Sequence, residues 1–185
     1  MVDLSSSRRP PLSDLATRAT IGMTPPAARF ILRGVESIAA ASQAFGVEIP
    51  TQPLRSATNG ARSGLWLGPD EWLLLAPEAE TDSAREAMEA ALANIPHALV
   101  DVSHRQTALT VEGPGAAFTL NSSVGLDLSL EAFPVGMVAR TFFEKSDITL
   151  WRVGAESFRV LVLRSFAPYV HSLLELARLE NAALG

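Results

Sequence analysis

Gly46-Val47-Glu48-Ile49 recurs 79 residues later as Gly125-Leu126-Asp127-Leu128, glycine on glycine, aliphatic on aliphatic and acid on acid. The same offset carries Gly34 onto Gly113, and after an insertion of seven residues the match resumes with Gly68 on Gly154, Trp72 on Phe158, Leu74 on Val160 and Ala87-Met88 on Leu173-Leu174. A unit this long is not a solenoid repeat, and two copies are fewer than such arrays need. The chain therefore reads as a pseudo-duplicated pair of βαββα units in an α+β fold, with helices packed on mixed or antiparallel sheet. The units span residues 27–97 and 98–185 of one compact body, and a Ser-, Arg-, Thr- and Pro-rich stretch, residues 1–26, reads as an extended arm.

The local signals agree with this division. Phe30 and Leu32 alternate with Ile31 and Arg33 as a strand, and Gly34 opens a helix with Val35, Ile38, Ser42 and Phe45 at helical spacing. Polar residues from Pro50 to Ser63 predict a loop. Leu65-Trp66-Leu67 and Trp72–Leu75 form a hairpin across Gly68-Pro69-Asp70-Glu71, and a helix with Ala84, Ala87, Met88, Ala91 and Leu92 on one face follows. In the second unit Leu99–Val102, Thr107–Val111, Val138–Phe143, Ile148–Val153 and Phe158–Leu163 read as strands. Helices are expected from Gly113-Pro114, with Ala117, Phe118 and Val124 inward, and from Ser165, with Phe166, Val170, Leu173, Leu174 and Ala177 on one stripe.

Of the 185 residues 48% are hydrophobic and 19% charged, which is globular composition. A chain of this length buries roughly 70% of its unfolded surface and needs no staples. The absence of Cys excludes disulfides and thiolate metal sites. A net charge of −5 with scattered basic residues argues against nucleic acid as a partner. No apolar run is long enough for a membrane helix, and Met1–Pro11 holds no apolar signal core, so no membrane partner is expected and the cytoplasm is the expected compartment.

Chemistry-bearing motifs are sparse. His97, His104 and His171 stand apart without metal-ligand spacing, and no G-x-S-x-G elbow occurs. Gly113-Pro114-Gly115 has the context of a dinucleotide loop, but Phe118 occupies the place of its third small residue. Asp101-Val102-Ser103-His104-Arg105 is the densest polar cluster. On a straight strand Asp101 and Ser103 face opposite to Val102 and His104, so no relay forms there, and a turn with Asp101 and Ser103 bonded to nearby backbone is expected.

The run Leu99–His104, followed by Leu109-Thr110-Val111-Glu112-Gly113-Pro114-Gly115-Ala116, resembles the opening of folate-dependent aminomethyltransferases such as glycine-cleavage T-protein. With Leu67–Leu74 upstream and Arg164–Tyr169 at the last helix, the sequence from about Pro11 to Ala177 is similar to the gamma subunits of heterotetrameric sarcosine oxidases. The resemblance implies the folate-binding aminomethyltransferase (T-protein)-like fold and a noncatalytic assembly subunit, not an enzyme on its own. Its partners would be alpha, beta and delta subunits, in a complex that demethylates sarcosine to glycine, yielding hydrogen peroxide and formaldehyde or methylenetetrahydrofolate. FAD, FMN, NAD, zinc and tetrahydrofolate would sit on those other subunits, with no cofactor, metal or catalytic residue on this one.

The family-motif positions are Asp101, Ser103, His104, Arg105 and Asp147. Asp147 lies near the place of the T-protein acid, but the G-G-x-x-D-D stretch is here Glu144-Lys145-Ser146-Asp147-Ile148, without its glycines or second acid. The alternatives are an autonomous folate-binding or aminomethyl-transferring protein using Asp147 or Asp101, and a small-molecule sensor module.

Overall fold

The computed structural model describes residues 19–183; residues 1–18 of the expected arm lie outside them. Ten strands and four helices follow in the order β1 (Thr20–Met23), β2 (Ala27–Arg33), α1 (Ile38–Phe45), β3 (Ser56–Asn59), β4 (Arg62–Gly68), β5 (Glu71–Pro77), α2 (Thr81–Leu92), β6 (Ala98–Asp101), β7 (Gln106–Glu112), α3 (Ala116–Asn121), β8 (Val138–Phe143), β9 (Ser146–Gly154), β10 (Ser157–Leu163) and α4 (Ala167–Ala183). They build two five-stranded sheets, β3-β4-β5-β2-β6 and β1-β7-β10-β9-β8, with every pairing antiparallel.

Alternation along the strands divides the core into layers. Phe30, Leu32, Trp72 and Leu74 pack with Phe45, Met88 and Leu92 beneath α1 and α2. Leu109, Val111, Phe158 and Val160 pack with Leu120, Val170 and Leu174 beneath α3 and α4. A third cluster, Leu65, Leu73, Ala108, Val138 and Leu161, joins the two sheets face to face. Helices thus cover the outer faces, and the inner faces form a thin apolar seam.

The duplication extends one strand further than the sequence comparison suggests, because β1, which falls within the expected arm of residues 1–26, stands before β2 as β6 stands before β7. These two strands are exchanged. β1 pairs with β7 of the second unit, Met23 opposite Leu109, while β6 pairs with β2 of the first, Asp101 opposite Phe30. Even the next backbone bond is duplicated: Thr24 N–H donates to Ala108 O at 2.9 Å and Val102 N–H to Arg29 O at 2.8 Å. The exchange ties each half to the other through backbone hydrogen bonds as well as through the seam.

Several local expectations shift. The segment expected to loop between Pro50 and Ser63 holds β3 and the start of β4; β3 is a four-residue edge strand whose polar residues carry no strand periodicity. Val35 belongs to a 3-10 turn before α1 and is exposed. Ala87 and Ala91 lie exposed on α2, and α3 starts after Pro114, with Gly115 as its N-cap, so Ala116, Thr119 and Leu120 form the buried face, with Ala117 packed at its margin and Phe118 outside it. Phe166 precedes α4 and is largely exposed.

Candidate functional site

The acidic corner between β6 and β7 is a closed hydrogen-bond chain. The Asp101 carboxylate accepts from Ser103 N–H at 2.8 Å and from Ser103 Oγ–H at 2.6 Å. Ser103 Oγ in turn accepts from Arg29 N–H at 2.9 Å. Burial, the largest single influence on Asp101, pushes its carboxyl up. The Ser103 hydroxyl and amide, with the His104 and Arg85 charges, together outweigh burial and hold it below its ordinary value of 3.8. The corner thereby anchors the backbone of β2 one residue past the end of the β6 ladder.

The remaining motif residues do not complete a relay. His104 is exposed and makes no hydrogen bond to Asp101 or Ser103, although it lies near enough to Asp101 to favour its charge. Arg105 is held through its backbone, its N–H donating to Val102 O and its carbonyl accepting from Arg164 N–H. Asp147 stands apart on β9, exposed, opposite Phe142 and separated from β7 by β10. The tight Glu144-Lys145 turn precedes it, with Glu144 at φ 51°. Asp101, Ser103 and the Arg29 backbone are brought together; Asp147 is not among them.

The polar groups of the seam escape sequence reading. Glu71, 9% exposed, receives Arg33 from its own sheet at 2.5 Å and Arg140 from the facing sheet. This bridge lines a cavity of about 260 Å³ that also holds Arg105, Gln106 and Thr149. A second cavity of similar size is bounded by the corner itself, through Arg29, Ser103, His104 and Gln106. A third opening of the seam, about 420 Å³, is walled by Arg29, Ser63, Leu75, Ala108, Trp151 and Leu161. Arg29 is 4% exposed, and burial holds its guanidinium below the usual arginine value. One sequence signal could have found it. The 79-residue offset places Arg29 on Ala108, a charge matched to a methyl group at an inward-facing strand position.

The sarcosine oxidase, gamma subunit family matches residues 34–180. The chain belongs to this family. The gamma subunits of sarcosine oxidase from Corynebacterium sp. (strain P-1) and Arthrobacter sp. are 32% and 33% identical over 193 residues, each match covering 95% of this chain and 92% of that protein. Among solved structures, the heterotetrameric sarcosine oxidase from Corynebacterium sp. U-96 in complex with pyrrole 2-carboxylate contains a chain that superposes with a TM-score of 0.83 at 30% identity, covering 95% of this chain and 96% of that one. The glycine cleavage system aminomethyltransferase T from Bartonella henselae shares the fold, with a TM-score of 0.65 at 13% identity over 88% of this chain and 47% of that one. The α+β, T-protein-like architecture expected from the sequence is the one found, now placed within the gamma subunit family.

Proposed function

We propose that this gamma-family chain is a noncatalytic assembly subunit of a cytoplasmic sarcosine oxidase, docked to alpha, beta and delta subunits that carry the flavins, NAD, zinc and tetrahydrofolate. The observation that carries this reading is the Asp101–Ser103–Arg29 chain. Ser103 Oγ donates its only proton to Asp101 while accepting from a backbone amide, so the motif's hydroxyl and acid stabilise a corner. A nucleophile or general base would need that hydroxyl or carboxylate turned toward a substrate, within reach of an imidazole or a reacting proton.

A folate site of the aminomethyltransferase kind is not supported by the residues present. Asp147, nearest to the family's acid, sits on a strand beside a tight turn and has no side-chain partner among the described residues. No three metal-ligating side chains converge among the described residues. Among them, too, no helix is long and apolar enough to cross a membrane. Phe166, Tyr169 and Leu176 put apolar surface on the outer side of the α4 region, as a chain that docks to others would.

Co-expression with the three other chains tests the reading. The full chain is expected to copurify with the oxidase and to show neither sarcosine oxidation nor aminomethyl transfer alone. Removal of residues 1–18, which leaves β1 whole, measures whether the N-terminal stretch helps docking. Tetrahydrofolate-dependent transfer by the isolated chain would replace this reading with that of an autonomous one-carbon enzyme.

A further inference from the structure

Among the described residues, Arg29 is the one arginine in the seam that is nearly fully buried and has no acidic partner. Its Nη1 donates to Ala27 O at 3.1 Å, but Nε is buried with no hydrogen-bond partner, and Nη2 has none either among the described residues. Nε and Nη2 together form the side of a guanidinium that receives both oxygens of a carboxylate, and Nε, closed to water in this structure, has nothing else to donate to. Leaving a donor such as Nε unmet in the interior is costly, and native proteins seldom do so without a reason.

The fold does not need this charge. Ala108 occupies the equivalent strand position in the other half, with the same backbone bond and an apolar side chain. Every other polar side chain used by the wall is already engaged. Thr24 Oγ1 donates to Ala108 O, Ser63 Oγ bonds Thr58, Trp151 Nε1 donates to Ser56 Oγ, and Arg159 pairs with Glu112 at 2.8 Å. What remains is one cationic fork in a chamber of about 420 Å³ walled by Leu75, Ala108, Trp151 and Leu161.

We infer that Arg29 is the anchor of a binding site for a small monocarboxylic acid with a flat apolar body, its carboxylate on the Nε–Nη2 edge and its body between Trp151 and the aliphatic wall. A single guanidinium matches one negative charge, so a dianion such as phosphate would keep an uncompensated charge in the interior. The site would be a property of this chain, and it does not depend on the subunit reading above.

Benzoate is a suitable probe, with benzamide as its neutral isostere and inorganic phosphate as the dianion. Calorimetric titration of the full chain should show one saturable benzoate site and no comparable binding of benzamide or phosphate, with tryptophan fluorescence changing in step. Arg29→Lys keeps the charge but lacks the fork, and benzoate should bind at least about tenfold more weakly. Arg29→Met should abolish binding. Ala108 shows that an apolar residue is compatible with the strand, and Arg29→Lys decides the matter if Arg29→Met does not fold. Absence of saturable benzoate binding, equal binding of benzamide, or unchanged affinity in Arg29→Lys would overturn the inference.

Discussion

Trp66 faces Trp72 across the hairpin of the first half, whereas the equivalent pair in the second half is Arg152 and Phe158. Both pairs close the same place in the fold. Trp72 Nε1 donates to Pro50 O at 2.7 Å, at the end of the segment that follows α1. Arg152 reaches the corresponding carbonyls of Leu128 and Ser129, and also those of Phe133, Gly154 and Ala155, while its guanidinium lies 4.7 Å from the Phe158 ring centroid. The difference follows from the seven-residue insertion. The longer segment, buried at Leu128 and Phe133 and exposed between them, brings more carbonyls to Arg152, and an indole supplies one donor where a guanidinium supplies five.

The largest expected effect breaks the comparison on its second side. Arg152→Met should remove about 3–5 kcal/mol of stability, because the buried carbonyls of Leu128 and Phe133 and the part-buried ones beside them lose their donor together and each orphaned buried group costs about 1–3 kcal/mol. Denaturant unfolding of the full chain measures it, and Arg152→Lys should fall between. If Arg152→Met costs no more than the matching change in the first half, the insertion does not depend on Arg152.

That matching change, Trp72→Phe, removes one donor from Pro50 O and keeps most of the buried ring. A loss of about 1–2 kcal/mol is expected by the same unfolding measurement. A loss as large as that of Arg152→Met would mean that ring volume, and not donor count, distinguishes the halves.

A smaller effect concerns charge placement. In the first half the acid stands on β5 as Glu71, bridging Arg33 and Arg140; in the second it stands on β7 as Glu112, held by Arg159 at 2.8 Å with Ser157 behind it. Arg33 and Arg140 are about half exposed, so Glu71→Gln leaves no buried cation and should cost about 1 kcal/mol at low salt. Raising ionic strength should shrink the gap between variant and parent. An undiminished gap in high salt would show that Glu71 acts through packing.

The smallest effect sharpens the contrast between the two corners, Thr24-Pro25-Pro26 and Val102-Ser103-His104-Arg105. Only the second carries an acid, Asp101, whose carboxyl is held below 3.8. Its contribution is therefore full above that pH and is lost as pH falls through the lower folded-state value. Asp101→Asn should cost about 0.5 kcal/mol at neutral pH, since the group is largely exposed. Parent and variant should converge in acid, and a difference that grows below pH 3.8 would reverse the sign of the argument.

Much of this architecture was legible because it rests on patterns that short windows carry. Glycines at Gly34, Gly46 and Gly113, each at positive φ, mark the same strand and helix ends in both halves, and the alternation of Phe30, Leu32, Trp72 and Leu74 marks one sheet face. β3 was missed because Ser56–Asn59 is polar and lies on an edge, where neither face supplies a hydrophobic period. Asp101 and Ser103 could be placed in one corner because their bond spans two residues. Arg29 could not be joined to them, since it meets Ser103 across 74 residues.

The sequence by itself determined the two-unit plan, the acidic corner and the family, because repeats, periodicities and motifs are written in neighbouring residues. Only the tertiary structure decided that β1 and β6 change places, that Glu71 meets Arg140 from the facing sheet, and that Arg29 lies inside without an acid. Those outcomes depend on which inner face lies against which. Inward-pointing residues of two sheets are brought together by packing, and their distance along the chain holds no record of it.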